Sequence, residues 1–516
     1  MYGVTRHQDW WGLGSALTNR EHDFDLAQIM DVGATTVRFA HYQQSEYLYS
    51  RCDTLGLIIW AEIPFVNRVT GYESENAQTQ LRELIRQSFN HPSIYVWGLH
   101  NEVYQPHEYT ASLTQSLHDL AKTEDPDRYT VAVNGYGHAN HPVNQNTDIQ
   151  GMNRYFGWYE KKVQDIKPWV EGLEKDYPWQ KLMLTEYGAD ANLDHQTEYL
   201  GDALNWGKPY YPETFQTKTH EYQWSVIAEH PYIIASYLWN MFDFAVPMWS
   251  RGGVPARNLK GLMTFDRKIK KDSYYWYKAN WSKSPVLYLT QRRNTDRERK
   301  QTSVTVYSNI GTPKVYLNGK ELTGIRKGYT DVHYIFDQVT LEKGKNKISK
   351  SIEFNDPVRG VVKSPDGNLW VSTSAGEISK VDAQNYTIIQ TNTLPGDAIS
   401  TQSASYTSTP CITAQGDTLY MNGTGTKIYR HIFSKNQTDL MVDAANIVTT
   451  TSVYNTIAVN PVTGEVYLNT IKGWGNDRLI NHISVFDFSE TEPKLSANYK
   501  NHTNYPAGTF FTYNFQ

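Results

Sequence analysis

Two cysteines in 516 residues, Cys52 and Cys411, are too few and too distant for a disulfide framework or a zinc cluster. No run reaches the roughly 18 apolar residues of a membrane-crossing helix. The start, MYGVTRHQDWW, lacks the charged region and apolar run of a signal peptide. The chain therefore carries no address of its own; an export signal upstream of Met1 would make it periplasmic or cell-surface. Basic excess is missing too. The formal net charge is −5, and no basic stripe for nucleic acid or polybasic membrane anchor stands out.

What is present suits a folded chain of two to four domains, with 39% hydrophobic and 20% charged residues. Aromatics are abundant at 13%, and 13 of the 15 tryptophans precede residue 285, leaving Trp370 and Trp474. A shift this sharp marks at least two kinds of domain.

Up to residue 284, β-rich runs alternate with amphipathic segments. The runs cover 2–7, 36–42, 57–65, 93–102, 129–136, 149–156, 181–189 and 233–244. Between them, Leu81, Leu84, Ile85 and Phe89 repeat at helical spacing, as do Leu113, Leu117 and Leu120. Asn90-His91-Pro92 stops the first of these helices. Eight such units predict a (β/α)8 barrel. The alternative is an open doubly wound sheet, which lacks support because no Gly-rich phosphate loop follows the first strand.

Barrel enzymes carry their chemistry where strands end. Here the polar residues cluster at those ends: His7, His41, Glu62, Asn101, Glu102, Asn153, Tyr155, Glu186, Trp239 and Asn240. Glu102 and Glu186 each follow an apolar run. A pair of partly desolvated carboxylates is the machinery for cleaving a glycosidic bond. A lone Glu at a strand end is more often a salt-bridged rim residue; the pair, with Asn before one and Tyr after the other, is not. His100 is expected to be structural, pointing into the barrel wall.

The motifs YGVTRHQD, VRFAHY, WAEIPF, VWGLHNE, NRYFGWY, TEYGA and LWNMFDFA, in that order over residues 1–284, resemble the catalytic barrel of glycoside hydrolase family 2. The resemblance implies a retaining exo-β-glycosidase with Glu102 as general acid/base and Glu186 as nucleophile. It implies Asn101 on the sugar 2-hydroxyl, Tyr155 touching the nucleophile, His7 and His41 lining the subsite with Asn153 beside them, and Trp239 as its floor. Some of these motifs are most similar to β-galactosidases, which makes a terminal β-galactoside the favoured substrate. Asn258 and Lys260, in RNLKG, resemble the carboxylate-binding pair of β-glucuronidases, the alternative; Lys260 could instead cap a helix or face solvent. No cofactor is expected. Glu62 could join a Mg²⁺ site, but Pro64 stands where metal-binding members have His. The expected partner is a glycoside from an oligo- or polysaccharide; oligomeric state is not legible.

Family members normally begin with a jelly-roll and an immunoglobulin-like domain, whereas Met1 lies at the first barrel strand. That departure weighs against full activity and leaves open an inactive carbohydrate-binding or surface scaffold. Residues 285–350 read as an immunoglobulin-like β-sandwich, with an Asn-Gly hairpin turn in LNGK. Residues 351–516 read as incomplete β-propeller-like repeats, because Gly367, Gly416 and Gly464 recur 49 and 48 residues apart. The repeats resemble surface proteins of Bacteroidetes.

Overall fold

The computed structural model of the chain describes residues 1–103, 108–134, 139–198 and 209–350, and most of 354–500 in shorter segments. Cys411 and Trp474 lie outside the described residues. The chain divides into two compact units, Met1–Ile348 and Ser349–Gln516.

The first unit is built on a closed parallel barrel of eight strands in sequence order. They are β1 (Tyr2–Arg6), β2 (Thr36–Phe39), β3 (Ile58–Glu62), β4 (Ile94–Asn101), β5 (Tyr129–Asn134), β6 (Ile149–Asn153), β7 (Leu182–Glu186) and β8 (Ile233–Leu238). β8 closes on β1, with Ser236 beside Tyr2 and Leu238 beside Val4. Strands covered on both faces read as continuous apolar runs. Accordingly, every residue of β2 and β7 is buried. The barrel interior holds Trp60, Val96, Val131, Val133, Met183 and Tyr237, a packed core and not a pore.

Helices wrap the outside. α1 (Asn19–Asp31), α2 (Glu46–Leu55), α3 (Ser74–Ser88), α4 (Glu108–Glu124), α5 (Ile166–Asp176), α6 (Glu213–Glu229) and α7 (Asp272–Trp281) are the α-helices among the described residues. α3 buries Leu81, Leu84 and Ile85 as their spacing predicts. Phe89 is the exception. It stands just past the last turn, 44% exposed, with the Arg128 guanidinium 5.5 Å from its ring centre. α4 buries Leu113 and Leu117, while Leu120 is half-buried.

Several strands also stop earlier than the apolar runs suggest. β2 ends at Phe39 and β8 at Leu238, so His41 and Trp239 lie beyond the barrel ladder. The aromatic tails of these runs pack on one another instead, in a cluster containing Tyr155, Trp158, Tyr211, Trp239 and Phe244. The same residue types thus build two layers, the barrel wall and a second cluster beyond its strand ends.

After a short pair, β9 (Phe244–Ala245) with β10 (Arg257–Asn258), the chain forms two further sheets. β11 (Leu287–Leu289), β12 (Gln301–Ser308), β16 (His333–Thr340) and β15 (Ile325–Lys327) make a four-stranded sheet in that order. β14 (Lys320–Glu321), β13 (Val315–Leu317) and β17 (Ile348–Lys350) make a three-stranded one. Among its described residues the second unit has three four-stranded sheets of sequential strands, within residues 358–393, 412–443 and 452–500. Their strands pair antiparallel. Gly367, Gly416 and Gly464 have φ of +86°, +58° and +77° and each sits between the first two strands of its sheet, in a conformation that favours glycine. No helix among the described residues is long and apolar enough to cross a membrane.

Candidate active site

Glu186 is the last residue of β7, and Glu102 follows the last residue of β4. Glu102 has φ +50°, a left-handed conformation that costs a non-glycine residue on the order of 1 kcal/mol. The turn is held by the Glu102 N–H, which donates to the Val133 carbonyl at 3.1 Å. Asn153, ending β6, donates from Nδ2 to Glu102 Oε1 at 3.0 Å. The Thr185 hydroxyl donates to Asn153 Oδ1 at 2.7 Å, which sets the orientation of that amide.

Beside Glu186 lies a residue to which sequence reasoning gave no role. Arg38 of β2 has a fully buried side chain. It donates to both oxygens of Glu62 at 3.0 and 3.1 Å. It also donates to Glu186 Oε1 at 3.0 Å, to the Thr185 carbonyl at 3.2 Å and to Asn101 Oδ1 at 2.9 Å. These are five bonds for the five donors of a guanidinium. Its planar face lies 4.4 Å from the Trp60 ring centre. The available signal was a charged residue inside the apolar run TVRF, since arginine is almost never fully buried without partners.

Tyr155 donates its hydroxyl to Glu186 Oε2 at 2.6 Å. Both Glu186 oxygens are therefore engaged. Burial raises the Glu186 carboxyl above its usual range, and Glu102 adds to this when ionised; Arg38 and the Tyr155 hydroxyl oppose it.

Aromatic rings line the other side. His41 stacks on Trp239 with ring centres 5.0 Å apart. His7 stacks on Phe244 at 4.3 Å and meets Trp239 edge-on at 5.3 Å. His41 Nδ1 lies 2.7 Å from Glu62 Oε1. Burial, followed by the charges of His41, Arg38 and Arg6, pushes His7 well below the usual imidazole range, so it stays neutral. The structure thus brings together Glu102, Glu186, Asn101, Asn153, Tyr155, His7, His41 and Trp239.

Lys260 belongs to the same enclosure and neither caps a helix nor faces solvent. Its side chain is 1% exposed and its ammonium lies 2.6 Å from Asp190 Oδ2. It also donates to the Tyr159 hydroxyl at 2.7 Å. Its ammonium lies 4.6 Å from the Tyr159 ring centre and 5.6 Å from that of Tyr155. Burial works to lower its pKa, but Asp190 overrides this and leaves it raised. Asn258 Oδ1 accepts from the Lys260 N–H at 3.0 Å, so that atom shapes the loop. Asp190 was not singled out by sequence reasoning, although it directly follows the TEYGA motif.

His100 is buried and meets Phe65 edge-on at 5.8 Å; burial pushes its pKa down to about 4. Glu62 is neutralised by Arg38 and bonded to His41. No group of three His, Cys, Asp or Glu side chains placed to hold a metal occurs among the described residues. A carboxylate already paired with a guanidinium does not fit a Mg²⁺ ligand.

The family "Glycosyl hydrolases family 2, TIM barrel domain" matches residues 1–283, and a domain of unknown function (DUF5074) matches residues 328–512. A β-glucuronidase of Bacteroides fragilis is 36% identical over 363 residues, covering 67% of this chain and 51% of its own. A β-glucuronidase of Streptococcus agalactiae is 26% identical over 301 residues, covering 52% and 48%. A crystal structure described as a "putative beta-galactosidase" from Bacteroides fragilis superposes with a TM-score of 0.67. It is 82% identical and covers 72% of this chain and 54% of that one. The chain spans about half the length of the curated relatives it matches.

Proposed function

Because this chain belongs to glycosyl hydrolases family 2, we propose that it hydrolyses terminal β-glycosides with retention, through Glu186 and Glu102. Glu186 attacks the anomeric carbon as the Glu102 acid gives its proton to the leaving oxygen. The glycosyl–Glu186 ester then forms as the aglycone leaves. Glu102, now a carboxylate, takes a proton from water, whose oxygen attacks the anomeric carbon and releases Glu186. The observation that carries this reading is the clamp on Glu186. Arg38 and Tyr155 bond one oxygen each, which orients the carboxylate and favours its ionised form. Asn101 accepts from Arg38 through Oδ1, leaving its amide N–H groups for the sugar 2-hydroxyl.

For the sugar, we favour a β-glucuronide. Lys260 is a buried cation beside the Tyr155 and Tyr159 rings, and two of its three N–H donors are occupied. The third can meet a uronate carboxylate in a charge-assisted bond. The 36% identical relative named β-glucuronidase agrees with this. A β-galactoside is the second reading, supported because Asp190 already neutralises Lys260 and because the 82% identical structure is described as a "putative beta-galactosidase".

The test is hydrolysis of matched aryl β-glucuronide and β-galactoside, with the product anomer followed by NMR. The glucuronide should be cleaved faster, with the β-anomer released first, and Glu186→Gln and Glu102→Gln should each lose turnover. An excess on galactoside would decide for the second reading. Sugar binding without any turnover would decide for a scaffold protein.

A further inference from the structure

Outside the candidate active site, the first unit has a large hollow, in the region that follows the barrel. Its volume is about 1600 Å³, more than the about 300–1,000 Å³ of sites for compact small molecules. It therefore suits an extended ligand. Its floor includes Leu289, Val304 and Thr305, from β11 and β12. Its walls are the chain before β12 and the chain after β16.

Both walls are organised by internal bonds. On one, Arg297 donates to the Asn294 carbonyl at 3.2 Å and to the Thr302 hydroxyl at 2.5 Å. On the other, Asn346 accepts from the Glu342 N–H at 3.0 Å and donates to the Glu342 carbonyl at 2.8 Å. The Leu341 N–H joins the two walls by donating to the Lys300 carbonyl at 2.7 Å.

The charge on these walls is one-sided. Among the described residues, seven Lys or Arg line the hollow against three Asp or Glu, with Arg297 paired to Glu198 at 2.8 Å, on a chain whose formal net charge is −5. Lys300, Lys343, Lys345 and Lys347 are exposed, and none of the four is ion-paired among the described residues. Unpaired cations lining one hollow raise the local concentration of a polyanion. No aromatic side chain among the described residues lines the hollow. That disfavours recognition of neutral sugars or nucleobases, which rests on stacking platforms, and leaves recognition by charge and hydroxyl groups.

We propose that this basic groove is a carbohydrate-binding site for an acidic polysaccharide, whose carboxylate or sulfate groups meet the lysines. The site is separate from the Glu102–Glu186 pair, and the proposal stands whether that pair takes glucuronides or galactosides. Affinity electrophoresis and calorimetry of the full chain carrying Glu186→Gln, with polygalacturonate as the probe, would test it. Dextran, single-stranded DNA and polyglutamate serve as comparisons.

We expect retardation by polygalacturonate that fades as salt is raised, and none by dextran. The combined variant Lys343→Glu, Lys345→Glu, Lys347→Glu should bind at least roughly tenfold more weakly. The same three substitutions in the chain with Glu186 intact should leave aryl glycoside turnover and melting temperature unchanged. Equal polygalacturonate binding by the triple variant, or equal retardation by dextran, overturns the proposal. So does tighter binding of DNA or polyglutamate, which would assign the groove to another class of polyanion. Should the triple variant melt early, Lys300→Glu alone, on the opposite wall, must still weaken binding.

Discussion

The Lys260 ammonium and the Asp190 carboxylate meet at 2.6 Å with side chains 1% and 5% exposed. Asp190 also accepts the Leu259 N–H at 2.8 Å through its other oxygen. One carboxylate therefore holds both the charge and the backbone of the segment that carries Lys260.

Removing that carboxylate should be costly, because it leaves a buried cation unpaired. Asp190→Ala is expected to destabilise the first unit by about 3–5 kcal/mol, and adding Lys260→Met should recover much of the loss. Tryptophan fluorescence during urea unfolding is a suitable readout, since 13 of the 15 tryptophans precede residue 285. If the double variant is no more stable than Asp190→Ala, the charge is not the cause.

The raised Glu186 carboxyl predicts the acid limb of the pH–rate profile. Turnover needs the ionised form, so kcat/KM should fall as pH drops through a pKa above the ordinary glutamate range. In the proposed mechanism Glu102 still holds its proton where Glu186 titrates, so Glu102→Gln should leave this acid limb in place and remove the alkaline one. The measurement calls for a dinitrophenyl glycoside, whose leaving group needs no proton from Glu102. An acid limb displaced to lower pH would mean that Glu102 is ionised first and would reverse the two roles.

Tyr155→Phe removes the 2.6 Å bond to Glu186. A hydrogen bond to a charged group contributes roughly 1.5–3 kcal/mol, so kcat/KM should fall roughly ten- to hundredfold. Because that bond lowers the Glu186 pKa, the acid limb should move to higher pH, unlike in Glu102→Gln. A fall in rate without that shift would leave Tyr155 a packing role only.

Gly98 of β4 leaves room for its neighbours in the wall. A Cβ there would stand 2.4 Å from Glu62 Cβ and 2.5 Å from Trp60 Nε1, closer than atoms can pack. Gly98→Ala should destabilise by about 1–3 kcal/mol and, by displacing Glu62, disturb the Arg38 network. Equal stability and rate in Gly98→Ala would mean that the wall gives way freely at this point.

His100 is held neutral, its pKa pushed down to about 4 by burial. In the unfolded chain it takes up a proton near pH 6.5, so the unfolded state binds more protons between pH 6.5 and 4. Stability should fall as pH drops through that window, by roughly 3 kcal/mol at its lower end from this residue alone. Urea midpoints in His100→Leu should show a shallower acid decline than the parent; identical slopes would remove His100 as a cause.

The sequence by itself determined the barrel, because eight apolar runs and the helical spacing between them are local, periodic signals. It also placed Glu102 and Glu186 at strand ends, since a carboxylate closing an apolar run is visible without coordinates. Tertiary structure decided how those groups are held. Arg38 lies 63 residues from Asn101 and 148 from Glu186 in sequence, so nothing local shows that one guanidinium serves both. Lys260 and Asp190, 70 residues apart, were one half noticed and one half missed. Their pairing, and not the Asn-x-Lys spacing, made Lys260 a buried cation. Periodicity tells which face of an element turns inward, but a charge partner is set by which strand ends the closed barrel brings together.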